Sequence, residues 1–269
     1  MNHLFIKKNS HFYEIVGKKE TNRIDDEIPF EIPSNWIWVR LQSLGEIIGG
    51  GTPKTKNSEY WEGGNIAWLT PADMKYINGK YVSRGKRDIT KLGLEKSSAK
   101  LMPRNSIVYS TRAPIGYIAI TNNELSTNQG FKSINPYDKN IVNYIYYVLI
   151  GLTKEIQSRA SGTTFKEISA STFRNLNISL PSLKNQKKIV SILWNIDEKI
   201  EILNKINNNL EQLSQNLFRK WFIDFQLKND FNICEPLKES SLGKIPESWE
   251  IKTIGDLSIV KGRIAISSL

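Results

Sequence analysis

The sequence predicts a mixed α+β domain followed by one long coiled-coil α-helix, and three observations carry that prediction. From Ile32 to about Leu180, short apolar runs alternate with turn signals. From Leu183 to Phe225 there is neither Gly nor Pro, and apolar residues recur at steps of three and four. The phrase IPSNWIWVRL, Ile32 to Leu41, returns as IPESWEIKTI, Ile245 to Ile254.

Residues 1–30 are polar and end on Asp25, Asp26 and Glu27, so they are expected to be an arm leading into the domain. The domain itself is expected over 31–181. Within it SIVYSTR (106–112), IGYIAIT (115–121) and LNISL (176–180) alternate with the period of strands. Gly49 to Thr52, Gly63 with Gly64, Asn78 with Gly79, and Ser161 with Gly162 mark turns. Between Asn140 and Ala160 the apolar spacing lengthens to threes and fours, which predicts a helix.

The long helix is expected over 182–227. Ile189, Leu193, Ile196, Ile200, Leu203, Ile206, Leu210, Leu213, Leu217 and Trp221 form a nearly heptad stripe with one phase slip around Asn207 to Asn209. At ~1.5 Å per residue such a helix is about 60 Å long. It cannot bury a single stripe against itself, so the stripe predicts pairing with another helix. A polar connector is expected over 228–244, and at 245–269 the opening phrase restarts. Shifted by 213 positions, Ile32, Pro33, Trp36, Leu41, Leu44 and Gly49 fall on Ile245, Pro246, Trp249, Ile254, Leu257 and Gly262. The second copy is expected to break off after Gly262, with Trp249 and Ile254 sheltering against the base of the helix.

Composition narrows the function. Hydrophobic residues at 39% and aromatics at 10% exclude a wholly disordered chain. The longest apolar run, Ile141 to Leu152, contains Asn143 and is well short of the ~20 residues a spanning helix needs. MNHLFIKKNSHF has no apolar core of signal-peptide length, so no membrane association and a cytoplasmic location are expected. A lone Cys234 and only His3 and His11 give neither a disulfide nor a zinc constellation, so no metal and no cofactor are expected.

Net charge is +10, and most of it lies in one segment: residues 75–112 hold ten Lys and Arg against Asp88 and Glu95. Lys75, Lys80, Arg84, Lys86, Arg87, Lys91, Lys96, Lys100, Arg104 and Arg112 are interleaved there with Tyr76, Tyr81 and Tyr109. Two readings stand, a phosphate-backbone footprint or a solvated lysine-rich surface.

Catalytic patterns do not assemble. Gly49 to Gly51 lacks a third glycine at dinucleotide-fold spacing, and the Gly-Lys pairs lack the flanking residues of a P-loop. Asn135-Pro136-Tyr137 is one proline short of the methyltransferase base-holding motif and reads as a turn between strand and helix. Glu250-x-Lys252 lies in the repeated phrase, has no suitably spaced upstream aspartate for a metal-dependent nuclease, and reads as a surface strand. With both histidines near the N-terminus, no Ser/His or Cys/His nucleophile is supported.

Four stretches in order resemble the specificity subunit of type I restriction-modification systems. They are GGGTPKTKNSEYWEGGNIAWLTPADM (49–74), SSAKLMPRNSIVYSTRAPIGYIAI (97–120), STNQGFKSI (126–134) and SGTTFKEISASTFRNLNISLPSLKNQKKIVSILWNID (161–197). The resemblance implies a non-catalytic DNA reader. In that family two target-recognition domains, each reading half of a split sequence, are held apart by antiparallel helices. It also implies as partners double-stranded DNA, the methyltransferase subunits that dock on the reader, and the restriction subunits that cleave. Pro181-Ser182-Leu183-Lys184-Asn185-Gln186 departs mildly from the family's Pro-Pro-Leu-x-x-Gln, keeping Pro181 and Gln186. The larger departure is length: one reader, one spacer helix and the start of a second reader.

Phosphate contacts are expected from the basic segment 75–112, with Lys75, Arg84, Lys86 and Arg87 as candidates, and from Lys54 and Lys56; Lys132 is a further DNA-binding candidate. Arg112 could contact guanine bidentately, and Asn128 or Gln129 adenine. Asn128 and Gln129 could equally cap buried strand ends, and Thr163, Thr164 and Lys166 in SGTTFK fit DNA-backbone contact or plain turn chemistry. The stripe from Ile189 to Trp221 predicts an antiparallel homodimer or pairing with a complementary half-subunit. Two rival functions remain open on sequence: a coiled-coil interaction module with a basic surface, and a fragment of a DNA adenine methyltransferase.

Overall fold

The computed structural model describes residues 3–8, 11–16, 19–25, 28, 30–77, 79–162, 166–225 and 236–257. In chain order the elements are β1 (His3–Lys8), β2 (His11–Val16), β3 (Lys19–Arg23), β4 (Ile37–Arg40), β5 (Gly45–Gly49), β6 (Ile66–Leu69) and α1 (Pro71–Met74). Next come β7 (Tyr81–Val82), β8 (Arg87–Ile89), α2 (Lys91–Glu95), β9 (Ile107–Tyr109), β10 (Ile118–Thr121), β11 (Ser126–Thr127) and β12 (Lys132–Pro136). Then follow α3 (Val142–Ser158), α4 (Ala170–Arg174), β13 (Asn177–Leu180), α5 (Leu183–Phe218), the hairpin β14 (Leu237–Ser240) and β15 (Gly243–Pro246), and α6 (Ile254–Leu257). The mixed α+β domain with a long helix is thus the observed architecture. Two compact units are formed, Met1–Lys199 and Ile200–Leu269.

Among its described residues the first unit contains three sheets, in the orders β13-β4-β1-β2-β3, β5-β12-β9-β10-β7 and β11-β6-β8. The second sheet backs onto α3 because both present apolar faces at their own periods. Ile107, Ile120 and Ile134 meet Ile145, Leu149 and Ile156, all buried. Phe173 of α4 closes this core against Tyr109, ring centroids 5.4 Å apart. A second cluster, with Met102, Leu125 and Phe131 at its centre, fills the space on the side of the third sheet.

Residues 1–30 are more than an arm. β1, β2 and β3 make an antiparallel meander that joins the domain through the β1–β4 pairing. Phe5 and Ile24 are buried against Trp38. Asp25 is structural, since its carboxylate accepts from the Phe12 amide at 2.6 Å and pairs with His11 Nδ1 at 2.8 Å.

Arg40 locks the two ends of the unit together. Its side chain is 8% exposed and donates to Asn177 Oδ1 at 2.7 Å and to the Asn175 carbonyl at 2.9 Å, while Nε reaches Glu14 Oε1 at 3.3 Å. One guanidinium therefore spans β2, β4 and β13. Tyr144 of α3 adds a second fastening, its hydroxyl donating to the Ser179 carbonyl at 2.6 Å.

α5 runs unbroken from Leu183 to Phe218 and passes through Asn207 to Asn209 without interruption; Arg219–Ile223 adds one π-helical turn. Gln186 is its one buried residue. No helix among the described residues is long and apolar enough to cross a membrane.

The repeated phrase does not fold alike in its two copies. Ile37–Arg40 is a strand because β1 flanks it on one side and β13 on the other. The equivalent residues 250–253 are not a strand, so the expected surface strand at Glu250 and Lys252 is corrected; those two side chains form an ion pair at 3.3 Å. The physical reason is pairing: a strand needs a neighbour for its N–H and C=O groups, and among the described residues none pairs with 250–253. The following turn recurs, as a 3-10 helix at Leu41–Ser43 and as α6, because a helical turn closes its own hydrogen bonds. The expected break after Gly262 lies outside the described residues. The expected polar connector 228–244 contains most of the β14–β15 hairpin, and its first part, 228–235, also lies outside the described residues. Trp249 packs on the aromatic end of the helix, 5.4 Å from the Phe225 ring and 6.3 Å from Phe222. Ile254 does not shelter there and is 80% exposed.

Arg40→Ala is expected to destabilise the first unit by about 3–5 kcal/mol, because it leaves buried partners of a charge uncompensated; chemical denaturation measures this. Burial pushes the Tyr144 hydroxyl up to about 12 from 10.0. A raised tyrosine pKa stabilises the fold fully below pH 10.0 and loses that contribution as the pH climbs through about 12. The wild-type denaturation midpoint should therefore fall more steeply over that window than that of Tyr144→Phe.

Candidate nucleic-acid interface

Several turns of the first unit are tied together at one place. The turn after β6 is set by Thr70-Pro71-Ala72-Asp73, in which proline starts a helical turn and aspartate reaches back to the residue before it. Asp73 Oδ2 accepts from the Thr70 amide at 2.8 Å and from Thr70 Oγ1 at 2.7 Å, and Oδ1 accepts from the Lys86 amide at 3.2 Å. One buried carboxylate thereby holds the 70–75 turn to the 84–88 segment.

The glycine-rich turn 49–52 meets the turn after β11 closely. Gly51 donates its amide to the Thr127 carbonyl at 2.8 Å. A Cβ on Gly50 would come within 1.9 Å of the Asn128 carbonyl oxygen, so this approach requires glycine. Thr52 Oγ1 donates a short hydrogen bond to Gln129 Oε1 across the same seam. On the other side Thr111 donates its amide to the Gly130 carbonyl at 2.8 Å, and Ile168 donates to the Thr111 carbonyl at 3.0 Å.

A cavity of about 380 Å³ opens at this junction, lined by Thr70, Pro71, Arg112, Asn128, Gln129 and Gly130 among others. Three residues singled out for base contact, Arg112, Asn128 and Gln129, are therefore brought to one site. Asn128 is partly engaged in the turn, since Oδ1 accepts from the Gly130 amide at 2.9 Å. Its capping role is real, and it leaves the amide nitrogen and one lone pair of Oδ1. Gln129 is exposed, as is Arg112.

The expected phosphate contacts divide into two groups. Lys54, Lys56, Lys75, Lys86, Arg87 and Lys166 are exposed on the turns just described or beside them. Lys86 lies over the Tyr76 ring at 4.5 Å and Arg87 over Trp61 at 3.9 Å, so their charges are held in place by aromatic faces. Trp61 is itself anchored by donating Nε1–H to the Lys54 carbonyl at 3.2 Å. Arg84 is exposed but faces Asp88 at 3.4 Å. Lys132 is turned inward, with a side chain 15% exposed and paired to Glu167 at 3.5 Å. Lys80 of the basic segment is buried. Thr163 and Thr164 lie outside the described residues.

Sequence reasoning missed Asp73, Thr52 and the aromatic support Trp61, and named Tyr76 only as an aromatic among the basic residues. The Thr-x-x-Asp spacing at Thr70 and Asp73 was a visible signal for the first; the others depend on approaches between distant turns. Among the described residues no cluster of three or more His, Cys, Asp and Glu could hold a metal ion.

The helix stripe is open over most of its length. Ile196, Ile200, Leu203, Ile206, Leu210, Leu213 and Trp221 are exposed, between 42% and 62%, while Ile189, Leu193 and Leu217 are half-buried.

A family profile described as type I restriction modification DNA specificity domain matches residues 33–212. The chain is 40% identical over 231 residues to the type I restriction enzyme MjaIX specificity subunit of Methanocaldococcus jannaschii, covering 84% of this chain and 52% of that protein. It is 29% identical over 187 residues to the EcoR124I/EcoR124II specificity subunit of Escherichia coli, covering 67% and 45%. A chain of a type I R-M system solved for its complex assembly and conformational transition superposes with a TM-score of 0.52 at 25% identity, over 71% of this chain and 47% of that one. The chain thus spans about half the length of the curated relatives it matches. The matched span takes in β4 through most of α5, the same turns that gather around the cavity, and the chain belongs to the type I restriction-modification specificity subunit family.

Proposed function

We propose that the first unit reads one half of a split double-stranded DNA target, and that the chain docks type I methyltransferase and restriction subunits that perform the chemistry. The chain itself is non-catalytic in this reading. One observation carries it: Arg112, Asn128 and Gln129 converge on one cavity, with exposed Lys54, Lys56, Lys75, Lys86 and Arg87 on the turns that build it or beside them. Base-edge donors at the centre and cations around them are what register plus sequence recognition need.

The stripe supports the split character of the target. A helix of 36 residues is about 54 Å long, more than the ~34–36 Å of one duplex turn. Paired antiparallel with a second copy, or with a complementary half-subunit, it would hold two readers on successive turns. Homodimer pairing implies a symmetric target.

Fluorescence anisotropy with duplexes carrying the target motif tests the reader. Arg112→Ala should weaken binding by about 1–3 kcal/mol and relax preference at one base position. Lys86→Ala should weaken all sequences alike and lower the salt slope by about 1. Binding that is insensitive to salt would sink the DNA assignment and favour a protein-interaction module. Light scattering tests the pairing: the expected mass is twice that of one chain, and Leu203→Asp combined with Leu210→Asp should return it to one.

A further inference from the structure

Lys80 stands in the most basic segment of the sequence, yet its side chain is only 7% exposed. Its ammonium donates to the Tyr147 hydroxyl at 2.6 Å, lies 3.6 Å from Asp197 Oδ2 and sits 3.7 Å from the centre of the Trp194 ring. The Tyr147 hydroxyl in turn donates to Asp197 Oδ2 at 2.7 Å, and the Tyr146 and Tyr147 rings flank the cation at 5.4 and 4.5 Å. Burial and the Asp197 carboxylate hold the Tyr147 hydroxyl well above the usual tyrosine range, which keeps it a donor.

Three elements meet at this one charge. Lys80 precedes β7, the edge strand of the second sheet, and accepts the Ile120 amide on its carbonyl at 2.8 Å. Tyr146 and Tyr147 belong to α3, and Trp194 with Asp197 to α5. Tyr81 of β7 adds a ring contact to Trp194 at 6.4 Å, and Ile189, Val190 and Leu193 of that helix are half-buried. Gln186 is its one buried residue, and a cavity of about 360 Å³ bounded by Asn143, Tyr144, Gln186, Val190 and Trp194 separates its first turns from full contact with α3. Asp197 is half-buried, and from Glu198 to Asn216 every residue of α5 is exposed.

A buried ion pair adds little net stability against apolar packing, but it fixes direction, because the ammonium must satisfy a carboxylate, a phenol and a ring face at once. We propose that Lys80 is a positioning residue for DNA reading: by clamping Trp194 and Asp197 it sets the direction in which α5 leaves the reader, and with it the number of base pairs between the two half-sites. This rests on the DNA-reading function proposed above. The required precision is high. If α5 pivoted at Gln186, a tilt of about 4° would move Phe218, roughly 48 Å away, by about one base-pair rise of ~3.4 Å.

The test co-expresses the chain with type I methyltransferase subunits from the same genome and maps modified bases genome-wide by long-read sequencing. Wild type should mark one split motif with a single gap. Lys80→Met should mark the same half-site bases while the native gap falls severalfold and gaps one base pair longer or shorter appear; Lys80→Arg, which keeps the cation, should narrow the distribution again. Asp197→Asn, altered on the half-exposed helix side where folding is least at risk, must reproduce the broadening. A single unchanged gap in Lys80→Met or Asp197→Asn overturns the proposal. A wild-type chain that marks no split motif fails at the earlier step, the reading function itself.

Discussion

The guanidinium of Arg40 joins the beginning of the first unit to its end. Its contacts to Glu14 and to Asn177 cross 26 and 137 residues of sequence and converge on β4, which lies between β1, the first strand of the unit, and β13, the last. Everything between β4 and β13 is thereby a closed loop of chain. The second sheet and α3 grow inside that closure, and the chain leaves it through β13 directly into α5. Pro181 and the Gln186 amide, which donates to the Pro181 carbonyl at 2.8 Å, make the passage from strand to helix abrupt. The helix therefore starts where the domain closes.

Closure of the framework explains why the candidate interface can be made of turns. Turns carry exposed side chains, but they are useful for recognition only if rigid strands fix their ends. Here each is additionally cross-tied, by the Asp73 carboxylate, by the Gly51 and Thr111 amides, and by a glycine at position 50 that lets two backbones touch. Arg87 and Lys86 rest on aromatic rings instead of waving free. Such support lowers the entropy to be lost on meeting a ligand.

Much of this was legible in the sequence, and the reasons for the misses are physical. Period-two runs such as Ile118 to Thr121 and the Gly-free, Pro-free stretch after Pro181 are local signals, and they located β10 and α5 well. The meander β1–β3 escaped notice because the acidic end of 1–30 drew the reading of an arm, although Phe5, Ile6, Phe12, Ile15 and Val16 sit among its charges and Phe5, with Ile24 just after β3, packs against Trp38. Lys80 and Lys132 counted as surface charge because sequence cannot say which lysine will meet a carboxylate or phenol inside the fold. The two copies of IPxxW show the converse error. Their sequences match, but a strand is a property of its neighbours: Ile37–Arg40 has two, and residues 250–253 have none among the described residues. At the site, Arg112, Asn128 and Gln129 were visible as residue types on turns; that separate turns would bring them to one cavity depends on the long-range pairing of β11 with β6 and of β12 with β9.

The first unit satisfies its own requirements, with an apolar core on either side of its second sheet and its buried cations, Arg40 and Lys80, both paired. The helix does not. Beyond Asp197 its large apolar side chains, from Ile200 through Leu213, stay about half exposed along one stripe, which a solvated helix of ordinary composition would not present. A surface of that kind is stable in water chiefly when another helix covers it. Under the proposed function, reading would be a property of one compact unit, while the distance between two readings would be set by a pair of helices and the joints that aim them. This division would let a base-contacting turn vary without disturbing the gap, and let the joint at Lys80 vary without disturbing the bases read.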